Sequence, residues 1–303
     1  MDRISSLPDP IIHHIFSFLD TELVLPTSIL SKRFRHLWTS SPYLTFNYYY
    51  TDPDPDPTIP NPYPVTDFLD FVDRILISRD ASTILKFNLV CEEIIHKSRV
   101  LTWLIATLIR NVQELDLVLL VEQVMEFPYN LFTKNDLKVF KLSGYFGDVN
   151  IRMPCSVCFS SKIRVLELDF VRLPEGDCNG EINFTCASLE KLMLSRCDIE
   201  HLKVITISAR KLKSLKMVSS YKDSDFFCKI RVCTPNLVSL AVACDTHWEF
   251  SLQDLGVLND ADVSVGGFNE EDAQWVMKFL RGIGNVNSLT LSTEILQVYH
   301  SPT

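Results

Sequence analysis

One short apolar phrase recurs along most of this chain at a nearly constant interval, and it restricts the fold more than any other feature. The phrase is apolar-x-x-apolar-x-apolar. It occurs as Val112/Leu115/Leu117, Leu137/Phe140/Leu142, Ile163/Leu166/Leu168, Leu189/Leu192/Leu194, Leu212/Leu215/Met217 and Leu237/Leu240/Val242. These copies start 25, 26, 26, 23 and 25 residues apart. A weak copy at Leu255/Leu258 precedes a clear one at Val286/Leu289/Leu291. The last two apolar positions of a copy lie two residues apart, so on a strand they share a face. A single unit cannot bury that face alone. Stacking the units side by side with their strands parallel buries it continuously.

The interval lies within the roughly 20–29 residues of leucine-rich repeats. The asparagine frequent in tidy repeats of that kind is mostly missing, and Cys197 stands in a similar place in one unit. The expected fold is therefore α/β: an irregular solenoid with a parallel sheet on its concave face and return segments of coil, short helix or strand. On each strand the leucines point inward and the positions between them point out. The outward set includes Glu114, Asp116, Lys141, Glu167, Asp169, Lys191, Met193, Lys216, Ala241 and Thr290. It is the expected target-binding surface, because repeat proteins recognise partners along that face.

Ahead of the repeats, residues 7–19 (LPDPIIHHIFSFL) read as a short helix. Pro8 and Pro10 fall in its first turn, where a missing amide costs nothing. Ile11, Ile15 and Leu19 share one face, with Ile12 and Phe16 beside it. A helix this short with so much apolar area faces both its own core and something else. Residues 21–38 (TELVLPTSILSKRFRHLW) read as a second helical stretch. Asp20 or Thr21 is its candidate cap, and Ile29, Leu30, Phe34, Leu37 and Trp38 form its apolar stripe. Pro26 does not suit a helix that starts near Glu22, where it costs ~3 kcal/mol. Either the helix starts near Thr27 or the docking affinity of the module is reduced.

The order of residues in this module resembles the plant form of the F-box: Leu7-Pro8-Asp9, Ile11-Ile12, Ile15-Phe16 and Leu19, then residues 28–35 (SILSKRFR) and Leu37-Trp38. Phe34 departs from the pattern, which usually has Trp there. With the repeats, the resemblance to plant F-box/leucine-rich-repeat proteins covers nearly the whole chain. It implies an all-helical F-box at residues 1–46, a Pro/Asp-rich linker at 47–64 and a solenoid at 65–303. It implies binding to a Skp-type adaptor, and through it a cullin, with the repeats holding a target protein for ubiquitination. Leu7, Pro8, Ile11, Ile12, Ile15, Leu19, Ile29, Leu30 and Trp38 are the residues that would carry or support the adaptor contact. The alternative is a repeat scaffold that does not join a ligase. Relatives often carry a further FBD domain, which is expected to be largely absent here.

The linker (NYYYTDPDPDPTIPNPYP) holds six of the fifteen prolines and is expected to be extended. After it, residues 65–78 and 100–110 read as helices, with a strand at 84–90 around Leu85, Phe87 and Leu89. The net charge of −9 speaks against nucleic-acid or anionic-membrane partners, which need a basic surface. With no signal-like start and no long apolar run, the expected location is intracellular, in cytoplasm or nucleus. The nine cysteines are then expected to act as small buried hydrophobes. Cys155-x-x-Cys158 with Cys178 and Cys186 is the only thiolate spacing that suggests a metal, and its second pair lacks the tight spacing. The histidines are scattered, and Gly282-Ile-Gly284 lacks the third glycine of a phosphate loop. No catalytic residue, cofactor or metal site is expected.

Overall fold

In a computed structural model, residues 6–48, 64–134, 136–145, 149–219, 227–245, 248–253, 255–266, 273–292 and 295 are described. The chain divides into two compact units, Met1–Met125 with Asn135–Tyr145, and Glu126–Lys134 with Phe146–Thr303.

The first unit begins with α1 (Asp9–Phe16), α2 (Thr21–Val24), a 3-10 turn over Leu25–Ile29, α3 (Phe34–Leu37) and a 3-10 turn over Trp38–Ser40. Then come β1 (Tyr43–Tyr48), α4 (Val65–Ser78), β2 (Lys86–Ile95), α5 (Lys97–Ile109) and β3 (Glu114–Val121). After β4 (Met125–Glu126) and α6 (Asn130–Thr133) of the intervening segment, β5 (Val139–Ser143) completes it. Its sheet is parallel in the order β1-β2-β3-β5. One row runs Leu44, Phe87, Leu115, Phe140, and the next runs Phe46, Leu89, Leu117, Leu142. All eight side chains are buried. The two helices α4 and α5 are the return segments of this unit, and α4 has the bounds that its apolar spacing predicts.

Two repeats thus precede the first one that the sequence pattern picks out. Ile84, not Leu85, is the buried partner of Phe87 and Leu89, so the unit begins at Ile84/Phe87/Leu89. The expected division at residue 46 cuts through β1, which is already a strand of the parallel sheet. The cause is local alternation: Leu44, Phe46 and Tyr48 all turn inward. Of the expected linker, residues 49–63 lie outside the described residues.

The helical module is tied to this sheet by groups expected to cap α2. Thr21 is 4% exposed and its hydroxyl accepts from the amide of Thr45 at 3.0 Å, and Asp20 accepts from the Asn47 side chain at 2.8 Å. Neither side chain caps the helix.

In the second unit, β6 (Ile151–Arg152) and a 3-10 turn over Cys155–Phe159 lead into two interleaved sets of strands. They are β7 (Val165–Asp169), β8 (Glu181–Phe184), β9 (Lys191–Ser195), β10 (Val204–Ile207), β11 (Ser214–Val218) and β12 (Cys228–Cys233). They continue as β13 (Ser239–Asp245), β14 (Trp248–Gln253), β15 (Asp260–Gly266), helix α7 (Ala273–Gly282) and β16 (Ser288–Leu291). The strands β7-β9-β11-β13-β15-β16 form one parallel sheet, and β14-β12-β10-β8 form another. The return segments here are therefore strands, with Ile182, Ile205, Ile230 and Phe250 in one buried row.

Each turn is stapled to the previous one by main-chain bonds that make parallel stacking repeat. The Glu190 and Lys191 amides donate to Arg164 O, those of Lys213 and Ser214 to Glu190 O, and those of Val238 and Ser239 to Lys213 O. The weak copy read at Leu255/Leu258 lies three residues later. Its members are Leu258, Ala261 and Val263, and the last two stand in register with Leu240 and Val242. An alanine in a leucine position hid it.

Candidate functional site

Helix α1 is apolar on two sides, and the rest of the module decides which side is covered. Ile12 and Phe16 turn inward to join Val24, Phe34 and Leu37 in one cluster, with Leu7, Leu19 and Trp38 packed against it. The rings of Phe16 and Phe34 meet edge to face at 6.2 Å. Phe34 is 2% exposed, so the smaller aromatic fills the place where the resemblance has Trp. His13 Nε2 donates to Leu37 O at 3.2 Å, and Arg33 Nε donates to Asp9 at 3.0 Å. Both bonds pin the start of the module to its end.

What remains outside is unusual for a solvated surface. Ile11 is 47% exposed, Ile15 42%, Phe18 75%, Leu23 60%, Ile29 85% and Leu30 63%. Single exposed apolar residues need no explanation, but six large ones between positions 11 and 30 mark a contact surface. Ile11 and Ile15 share a helix face one turn apart. Pro8 is exposed, while Leu7, Leu19 and Trp38 are half-buried. Of the nine expected contact residues, Ile12 faces the module's own core, 1% exposed. Phe18 and Leu23 were not anticipated; Phe18 lies three residues after Ile15 on the same apolar run, a spacing that points to it.

The expected single stripe over residues 21–38 is split. Phe34 and Leu37 are buried, whereas Ile29 and Leu30 are exposed. Pro26 is the reason. The α-helix ends at Val24, and the chain tightens into the 3-10 turn with the proline in that turn's first positions. The Thr27 hydroxyl donates to Val24 O at 2.6 Å and the Leu30 amide to Thr27 O at 2.9 Å. The helix starts at Thr21 and not near Thr27, and Pro26 is not in an α-helical interior. This tight turn rotates Ile29 and Leu30 away from the core.

The sheet faces hold the second expected set. In the first unit, Asn88, Asp116 and Lys141 stand side by side in register, with Glu114 exposed at the start of β3. In the second, one row runs Glu167, Met193, Lys216, Ala241, Asp262, Thr290. Glu167 pairs with Lys191 at 2.7 Å, and Asp169 accepts from Arg196 Nε at 2.9 Å. Arg196 also lies over the Phe170 ring, 4.1 Å from its centre. Glu167 and Asp169 are thereby largely covered, with side chains 14% exposed in each case. Lys191 and Lys216 stand exposed, and Met193 is half-buried.

The thiols show why cysteines here suit packing. Cys155 and Cys178 are exposed, while Cys158 and Cys186 are buried. Burial pushes the Cys158 thiol up strongly and that of Cys186 up to about 11. Cys186 donates its proton to Val157 O at 3.2 Å. Among the described residues, no three His, Cys, Asp or Glu side chains are grouped to hold a metal. Two thiols, Cys155 and Cys178, are expected to react quickly with a thiol reagent at neutral pH, and the six buried ones only on unfolding. Rapid labelling of Cys197 or Cys228 in the native protein would contradict this. Both are pushed up by burial to about 12 from the ordinary 9.0. Their contribution to stability is complete below pH 9.0 and is lost as the pH rises towards 12. Among the described residues no helix is long and apolar enough to cross a membrane.

Comparison with known proteins agrees with this geometry. The F-box domain profile matches residues 4–46, and the profile of the At1g61320/AtMIF1 leucine-rich-repeat domain matches residues 78–300. The chain is 30% identical to the Arabidopsis thaliana F-box/LRR-repeat protein At3g59200 over 98% of its own length and 60% of that protein's. It is 35% identical to the F-box/FBD/LRR-repeat protein At5g56420 of the same plant, over 75% of this chain and 50% of the relative. A third, the F-box/LRR-repeat protein At4g14096, is 29% identical over 98% of this chain and 63% of its own length. The chain thus spans half to two-thirds of the length of these relatives.

Proposed function

This chain belongs to the plant F-box/leucine-rich-repeat family, and on that premise we propose that it is the substrate-recognition subunit of an SCF-type ubiquitin ligase. The observation that carries the reading is the exposed apolar surface of the helical module, which its own core leaves uncovered. Ile11, Ile15, Ile29 and Leu30 make the contact with a Skp-type adaptor, joined by Phe18 and Leu23. Leu7, Pro8, Leu19 and Trp38 border it, and Ile12 supports it from beneath.

The contact gains its free energy by removing apolar area from water, at about 25 cal/mol per Å². It needs no titratable group, and none of the six exposed side chains carries one. Through the adaptor the chain is held on a cullin. The outward sheet positions, among them Lys191, Met193 and Lys216 in the second unit and Glu114, Asp116 and Lys141 in the first, form the target-binding surface. The chain is not a catalyst in this reading. Its contribution is proximity, which raises the effective concentration of target lysines at the ubiquitin-charged enzyme.

Affinity purification of the tagged chain from plant cells tests the assignment, and proteasome inhibition adds the targets to the readout. The expected result is recovery of both adaptor and cullin, with further proteins enriched when the proteasome is blocked. Recovery of repeat-bound proteins without adaptor or cullin would identify a scaffold outside the ligase.

A further inference from the structure

The return helices α4 and α5 of the first unit leave a cleft between them of about 300 Å³. Leu76 and Ile77 of α4 and Trp103 and Ala106 of α5 give it apolar walls. It is open to solvent: Ile77 is 81% exposed at its rim, and the Asp73 side chain that lines it is 31% exposed. The volume is that of about ten water molecules. It stands at the small end of the range that ligand sites occupy. The cleft shares no residue with the docking surface of the helical module or with the outward sheet positions.

Its polar groups are committed to one another in a way that leaves acceptors over. Trp103 Nε1 donates to Asp73 Oδ1 at 2.5 Å. The Thr102 hydroxyl donates to Ser98 O at 2.8 Å. His96 Nδ1 accepts from the Ser98 amide, so the Ser98 hydroxyl, 2.8 Å away, donates to it as well. Both hydroxyl protons are therefore used, and the two oxygens have only lone pairs to offer. Arg99 Nη2 donates to Asp70 at 2.6 Å, while its Nη1 lies 3.7 Å from Asp73 Oδ2, beyond hydrogen-bond distance. That Nη1 is sealed from solvent, so no ligand meets it. Arg74 donates to Asp70 O at 3.2 Å. The accessible carboxylate oxygen Asp73 Oδ2 is thus left as a charged acceptor at the edge of an apolar space.

We propose that this cleft binds a small amphipathic amine, its hydrocarbon or aryl body against Leu76, Ile77 and Ala106 and its ammonium on Asp73 Oδ2. An ammonium carries three donors and no acceptor, which complements a set of groups reduced to lone pairs. Its bond to the carboxylate is charge-assisted and stronger than one between neutral groups. A neutral alcohol fills the same space and forms only the weaker bond. An organic anion meets a carboxylate and used hydroxyls, and the guanidinium beside them is already held by Asp70. The bound amine covers Ile77 and ties α4 to α5, so it stabilises the helical layer of the first unit.

Calorimetric titration of the full-length chain with 2-phenylethylamine tests this, with 2-phenylethanol and phenylacetate as controls of matched size. The amine should bind saturably at one site, the alcohol at least about tenfold more weakly, and phenylacetate not measurably. Asp73→Asn keeps an oxygen for the Trp103 indole but removes the charge, and it should bring the amine down to the level of the alcohol. Ala106→Phe fills the cleft and should abolish binding of both. If the Phe variant fails to fold, the Asn variant carries the test. No saturable binding of the amine to the wild-type chain, equal binding of the three compounds, or undiminished amine binding in either folded variant would overturn the proposal.

Discussion

Replacing Ile29 with Asp is expected to weaken capture of the Skp-type adaptor by at least about 100-fold while the free chain melts at its usual temperature. Ile29 is 85% exposed, so the folded chain loses almost no packing when it changes. In the complex proposed above the same position is covered. There the substitution removes an apolar anchor worth about 1.5–3 kcal/mol and adds a charge that must be desolvated. A loss of about 2.8 kcal/mol corresponds to two decades in affinity. Ile12 gives the internal control. It lies next to Ile11 but is 1% exposed, and Ile12→Ala should cost about 2–5 kcal/mol of stability. An Ile29→Asp chain that still binds the adaptor at wild-type strength would remove this surface from the contact.

The second large effect lies in the repeats. Leu192→Ala is expected to destabilise the second unit by about 2–5 kcal/mol, since a buried leucine leaves both a lost transfer term and a cavity. Leu192 is fully buried in β9, in register with Leu215 of β11 and Leu166 of β7. A repeat touches only its neighbours, so damage in the middle separates the strands on either side. Denaturant unfolding should then show a lowered midpoint, and a broadened transition if the two sides melt apart. Lys216→Ala, on the exposed face of the neighbouring strand, should change stability by less than about 0.5 kcal/mol. Equal losses from the two substitutions would contradict the inward and outward assignment of this sheet.

Most of the second unit was legible because burial in a strand follows a period of two. Leu215 and Met217 report their own side from spacing alone, and neighbours in register repeat the report. Where the pattern failed, the residue type was the cause. Ala261 is small enough to escape notice as a core position, and Ile84 sits beside the equally apolar Leu85, so the phase was ambiguous. The return strands β8, β10, β12 and β14 have no phrase as regular as the leucines, and the sheet they form follows from stacking.

By itself the sequence determined the repeat, its period, the parallel order of strands that the period demands, and the presence of a short helical module with more apolar surface than it can bury. Only the tertiary structure decided which of those apolar side chains the module keeps for itself. The physical reason is distance along the chain. Ile11 and Ile12 are equally apolar neighbours on one short helix, and the choice between them is made by Phe34 and Leu37, which come from a later segment to cover one side. Pro26 then turns Ile29 and Leu30 outward, because it ends a helix and starts a tighter turn.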